Sequence, residues 1–146
     1  MANKLLVPID LNQEEVLDPV FKAVTELAAA HDAEVDLLTV VPNLDAGIFP
    51  YVSQDLLQQT LDAANKRIRE IGETRLGDSG LTWRAEALIG PIARTIVDTA
   101  EDKGSDLIVM ASHDPGVLDI LLGSVADQVL RRAHCSVLIV RQRPQR

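Results

Sequence analysis

The sequence predicts an α/β fold, an open parallel sheet of five strands with helices on both faces. Three observations carry this. Apolar runs and stretches at helical spacing alternate in the order β-α-β-α-β-α-β-α-β. Several runs, such as Leu107-Ile108-Val109-Met110, are apolar without interruption, as strands covered on both faces are. Gly, Pro and Asp stand between the elements as breakers. Alternation of this kind implies parallel strands joined by right-handed crossover helices. A length of 146 residues suits one domain over 1–146, large enough to bury a core.

Each element follows from its pattern. Leu5 to Ile9 is a short buried strand ending at Asp10. Residues 14–31 read as a helix, with Val16, Val20, Val24 and Leu27 on one face and Phe21 joining it. Glu34 to Val41 is the second strand, closed by Pro42. Residues 42–54 form a loop with Phe49 and Tyr51 at its far end, which either cover a pocket or pack on the neighbouring helix. A long helix follows, from Ser53 as N-cap to about Leu76, where Gly77-Asp78-Ser79-Gly80 breaks it. Leu81 to Ile89 alternates more than the other strands, which suits a half-exposed edge. Gly90-Pro91 opens a helix with Ile92, Ile96, Val97 and Ala100 on one side. Asp106 to Ala111 is a buried strand, a polar loop runs from Ser112 to about Ile120, 123–133 is helical, and Ser136 to Arg141 is the last strand.

Composition narrows the function. Hydrophobic residues make up 47% and charged residues 25%, an ordinary globular balance. With 22 acidic against 14 basic side chains the net charge is −8, a surface that repels phosphate backbones and anionic lipid. Binding to nucleic acid or an anionic membrane is therefore not expected, and with no apolar run approaching 18 residues no membrane insertion is expected either, although a few backbone amides can still hold a small nucleotide. Cys135 is the single cysteine, so no internal disulfide forms and a cytoplasmic location fits.

In sheets of this kind ligands bind at the carboxyl ends of the strands, near the switch point in strand order. Those ends are Pro8–Asp10, Val40–Val41, Gly90 and Met110–His113. The most specific feature nearby is Leu122-Gly123-Ser124-Val125-Ala126. Gly123 admits a phosphate close to the backbone, Ser124 adds a hydroxyl and a helix cap, and the amides and positive end of the helix form an anion site. The same Gly-Ser pair also reads as an ordinary N-cap.

The segments Asp106-Leu-Ile-Val-Met-Ala-Ser-His113, Leu121-Leu-Gly-Ser-Val-Ala126 and Val129-Leu-Arg-Arg-Ala-His-Cys-Ser-Val-Leu-Ile-Val-Arg141 resemble the C-terminal block of universal stress proteins. Leu6-Val-Pro-Ile-Asp10, Leu38-Thr-Val-Val41 and Gly90 beside a proline match that family too, so the resemblance covers essentially the whole chain. It implies a Rossmann-like domain with strand order 3-2-1-4-5, a homodimer through the last strand, Ser136 to Arg141, and in one branch ATP binding. That branch carries glycine, two residues, glycine, nine residues, glycine, then Ser or Thr. Here the places read Ala111, Asp114, Gly123 and Ser124, with eight residues between Asp114 and Gly123. Ala111-Ser112-His113 is similar to a sub-branch that keeps a nucleotide site without the first glycine. Carried over by position, Asp10 and Val40 fall on the adenosine side, Met110, Ala111 and His113 line the phosphate side, Gly123, Ser124 and Val125 hold the phosphates, and Pro8 joins the cofactor-binding set.

Electrostatics bears on that site. No Lys or Arg lies between Lys103 and Arg131, while Asp114 and Asp119 fall in the loop. A carboxylate about 4 Å from a phosphate charge costs roughly 1 kcal/mol in water and about 4 kcal/mol at an effective dielectric near 20. A helix end returns about 0.3–2 kcal/mol. If Asp114 faces the phosphates, binding needs Mg²⁺ or Mn²⁺, with Asp10 or Asp114 as ligand. If Asp114-Pro115-Gly116 turns to solvent, the penalty shrinks.

Each candidate has a plainer reading. Asp10 caps a helix or holds a loop, and His113 braces its loop. Cys135 is buried or interfacial, because its neighbour His134 points the other way in extended chain. His31 is a surface residue favoured by the helix end. No base, nucleophile and orienting group converge, so no enzyme is expected. The leading expectation is a dimeric nucleotide-binding stress-response module that reports to an unidentified protein partner. The alternative is a dimeric interaction protein of the same fold that binds no nucleotide.

Overall fold

The structure is a computed structural model and describes residues 3–42, 54–112 and 123–141. Its strands are β1 (Lys4–Pro8), β2 (Glu34–Val41), β3 (Trp83–Ile89), β4 (Leu107–Ala111) and β5 (Ser136–Val140). Its helices are α1 (Leu17–His31), α2 (Gln54–Leu76), α3 (Ile92–Lys103) and α4 (Ser124–Arg132). All pairings are parallel, in the order β3-β2-β1-β4-β5. Both the alternation and the expected strand order are therefore present.

The sheet separates two apolar layers because side chains along a strand point to opposite faces. Leu5, Val7, Val35, Leu37 and Val109 turn toward α1 and α2, where Val20, Phe21, Val24, Ala28, Ile68 and Ile71 meet them. Leu6, Leu38, Ile108 and Met110 turn the other way, against Ala93, Ile96, Val97 and Ala100 of α3 and Ala126 and Val129 of α4. Leu5, Leu6 and Val7 are wholly buried, as the central strand of a doubly covered sheet requires.

Against the sequence reading, β1, α4 and β5 shift by a single residue at one end or both, and three further boundaries differ for a local reason. Residues 14–16 form a short 3-10 turn, and the α-helix begins at Leu17. Pro19 lacks the N–H that a longer helix would need from it, and its ring crowds the carbonyl four residues earlier, so it fits only in the first turn. Asp106 stays outside β4 because its carboxylate accepts the amides of Asn3 and Lys4, both at 2.9 Å. The third strand begins at Trp83, not Leu81, and is a half-exposed edge as its alternation predicts.

Helix ends follow ordinary chemistry. α1 stops at Asp32 in the left-handed region (φ 51°), where its amide reaches the Ala28 carbonyl. α3 stops at Gly104 (φ 64°), and Ser105 N–H returns to the Ala100 carbonyl at 2.8 Å. The proposed cap Ser53 lies outside the described residues, as do Phe49 and Tyr51.

Candidate functional site

The chain runs β1 to β2 to β3 in one direction, then returns past β1 to lay down β4 and β5 on its other side. The switch point thus falls between β1 and β4, and their carboxyl ends define the candidate crevice. Three bonds shape this rim. Ile9 N–H donates to the Leu38 carbonyl at 2.8 Å, Ser112 N–H to Val140 at 3.3 Å, and Gly123 N–H to Ser112 at 3.3 Å. The last bond fixes the start of α4 beside the end of β4.

The predicted residues fall as follows. Pro8 ends β1 half-buried, and Asp10 follows it, exposed. Val40 is half-buried near the end of β2, against the α3–α4 core. Met110 is buried in that same layer, while Ala111 faces the α1 side. Gly123 is buried, Ser124 exposed, and Val125 half-buried against the α3–α4 core. The structure thus brings the ends of β1, β2 and β4 and the start of α4 to one rim. His113, Asp114 and Asp119 lie outside the described residues.

One role is corrected. Ser124 is not the cap of its helix. Gly123 takes the cap position in extended conformation (φ −62°, ψ 157°), and its carbonyl accepts Asp127 N–H at 3.0 Å, the first bond of α4. Ser124 is the first helical residue, and the amides of Val125 and Ala126 stand ahead of that first bond. Glycine at the cap brings no side chain of its own to the helix end.

Asp10 holds a loop. Its Oδ1 accepts Asn12 N–H at 2.9 Å and its carbonyl accepts Gln13 N–H at 3.0 Å, so the carboxylate orders the turn after β1. Among the described residues no hydrogen bond reaches its other oxygen, which can accept from a hydroxyl or bind a cation. Among the described residues no group of three or more His, Cys, Asp and Glu could hold a metal by itself. A Mg²⁺ at this rim would take Asp10 and complete its shell with phosphate oxygens and water, the usual mode for that ion.

Charge is divided between the ends of the sheet. Lys4 opens β1 and Lys103 closes α3, both at the far end from the crevice, and Arg131 pairs with Asp127 at 3.0 Å along α4. Arg141 follows β5 at the crevice end, beside the Ser112–Val140 bond, and is exposed. Strand adjacency, not sequence proximity, puts it there.

Cys135 is half-buried against the α3–α4 layer, and burial raises its thiol above the ordinary value. A thiol held protonated is a poor nucleophile, which agrees with the packing reading. His31 is exposed at the last turn of α1, as expected.

An order of 3-2-1-4-5 with helices on both faces makes this a doubly wound α/β protein of the Rossmann-like kind. The sequence matches the profile of the Universal stress protein family over residues 1–141. The chain belongs to that family. It is 33% identical to Universal stress protein MJ0531 of Methanocaldococcus jannaschii, over 97% of this chain and 84% of that one. It is likewise 33% identical to Universal stress protein A homolog 2 of Coxiella burnetii, over 94% of each. The solved structure of MJ0577 superposes with a TM-score of 0.79 at 29% identity over 99% of both chains. A universal stress protein in complex with cAMP shares the fold at TM-score 0.70 and 22% identity, covering 97% of this chain and 98% of that one. The Archaeoglobus fulgidus protein in complex with dAMP does so at 0.59 and 20%, covering 97% and 100%.

Proposed function

We propose that this chain is an adenine-nucleotide-binding regulatory module that acts as a homodimer and is not primarily an enzyme. The observation that carries the reading is the start of α4. It stands at the switch point with Gly123 at the cap, and the amides of Val125 and Ala126 precede the first helical bond. Donors and a positive helix end at that place suit an anionic group. Proteins of the same fold with cAMP and dAMP bound show that the fold accommodates adenine nucleotides.

In this reading Pro8, Asp10 and Val40 flank the adenosine, Met110, Ala111 and His113 line the phosphates, and Gly123, Ser124 and Val125 hold them. The ligand is ATP, with Mg²⁺ or Mn²⁺ offsetting the shortage of cations between Lys103 and Arg131. Asp10 turns its second carboxylate oxygen to the ion. No step of bond cleavage is assigned, because no described side chain is placed as a base beside a nucleophile. The dimer forms through β5, an edge strand without a fully buried side chain and with Leu138 37% exposed. Antiparallel pairing with a second copy would give a two-fold dimer and cover that edge.

A second reading has its own support. Ala111 and Asp114 stand where the ATP-binding branch has glycines, and this favours an interaction protein of the same fold without a ligand. Mass spectrometry of small molecules released on unfolding the purified protein separates the two. A bound adenine nucleotide is expected; a protein that releases none, and takes none up when incubated with ATP and Mg²⁺, supports the second reading.

A further inference from the structure

The pairing of β2 with β3 determines which amides of β3 point away from the sheet. Val35 N–H donates to the Thr82 carbonyl at 2.9 Å, and Gly90 N–H donates to the Val41 carbonyl at 3.0 Å. Backbone groups alternate along a strand, so residues 82, 84, 86, 88 and 90 bond toward β2. Trp83, Ala85, Ala87 and Ile89 turn their N–H and C=O groups outward. Such an edge is a template on which another strand can add.

At Ala87 the template is already occupied. Asn65, in the middle of α2, accepts the Ala87 N–H on its Oδ1 at 2.9 Å. Its Nδ2 donates to the Leu61 carbonyl at 3.3 Å, one turn back, which fixes the amide's orientation. Asparagine is a poor residue for a helix interior, so its place there calls for a role outside the helix. The packing holds α2 in reach of the edge, since Gly72 lets the helix lie directly against the Trp83 ring. Charge adds to the blockade: Arg84 pairs with Glu34 and Asp36 at 3.3 Å, and Glu86 with Lys103 at 3.3 Å. β5 differs at every point. Its residues from Ser136 to Val140 carry no charge, and among the described residues no side chain bonds to the outward amides of Val137 and Ile139.

We propose that Asn65 is an edge-closing residue that makes β3 unavailable to strand addition by a second copy of this chain, so that assembly through the sheet is confined to β5. The part concerning β5 rests on the dimer reading above, whereas the part concerning Asn65 does not.

The test compares full-length wild type with Asn65→Leu, Asn65→Ala and Asn65→Asp by light scattering across concentration and by amide hydrogen exchange. Leu and Ala remove the acceptor, and Asp keeps an acceptor oxygen at the same place. In the wild type the Ala87 amide is protected, and in the Leu and Ala variants it exchanges about tenfold faster, the order expected for losing one such bond. Those two variants form species heavier than the wild type, growing with concentration, while Asp keeps the wild-type mass. An unprotected Ala87 amide in the wild type overturns the proposal whether or not the variants fold. So do Leu and Ala variants that hold the wild-type mass to millimolar concentration, or an Asp variant that behaves like Leu. A monomeric wild type would count against the β5 dimer alone, because the Asn65 comparison is made relative to the wild type.

Discussion

Gly72 sits on the buried face of α2, and a Cβ added there would fall 2.3 Å from Cζ3 of Trp83. Replacing a helical glycine gains up to about 1 kcal/mol in backbone propensity. Inserting side-chain volume against a packed ring costs about 1–3 kcal/mol. The clash wins for a branched side chain, so Gly72→Val lowers the denaturant midpoint, and the single tryptophan reports it by fluorescence. A variant as stable as the wild type would show that the ring has room. This contact was not legible in the sequence, because a glycine inside a helical pattern gives no sign of what lies opposite. Asp10 was half legible. Its position at the end of β1 follows from the pattern, but the bond its carboxylate takes from the Asn12 amide is visible only in the folded turn, where Gln13 and not Asp10 precedes the first helical residues. At the crevice the same limit applies to Ser124. Gly-Ser before a helix names a cap but does not say which of the two residues holds it, and the backbone conformation of Gly123 decides.

At the scale of elements, the turn before α1 is tied to α2 by an ion pair between Glu14 and Arg67, and Asp18 pairs with Arg75 in the same direction. The hydrogen bond from Arg67 holds the Glu14 carboxyl below its ordinary value of 4.5. A depressed carboxylate contributes stability above its unfolded value and loses it as pH falls through the folded one. The protein therefore loses stability below about pH 4.5, and Glu14→Gln removes part of that slope while leaving the neutral-pH fold intact. The pair is exposed, so the effect is small and fades with salt. An unchanged acid slope in the variant would show that the pair does not persist in solution. Among the described residues the types of the five strands and four α-helices were readable, since periods of 2 and 3.6 separate strands from helices when the runs are long. Boundaries were less so. Pro19, through the bond it cannot donate, and the Asp106 carboxylate, through the bonds it accepts, each shift an end in a way that periodicity does not encode.

For the whole molecule, the alternation of elements gave the parallel sheet, and the family resemblance supplied its order, which the structure reproduces. Order in turn decides what lies together. It joins Asp10, Val40, Met110 and Gly123, distant in sequence, at one rim, and it sends β3 and β5 to opposite edges. The two edges are treated differently: one is lapped by α2 and charged, the other uncharged and, among the described residues, bonded by no side chain. If β5 carries the dimer, Leu138→Asp places a charge on that edge and yields a monomer at micromolar concentration by light scattering, with its fold retained. A Leu138→Asp protein that keeps the mass of a dimer would place the interface elsewhere. The same strand order places the proposed adenine-nucleotide site at the rim by the start of α4. Calorimetric titration of the wild-type protein with ATP in the presence of Mg²⁺ tests it most directly. Saturable heat with one nucleotide per chain is expected, weakened when Mg²⁺ is withheld; absence of heat at millimolar ATP with Mg²⁺ present would rule out a nucleotide site at this rim.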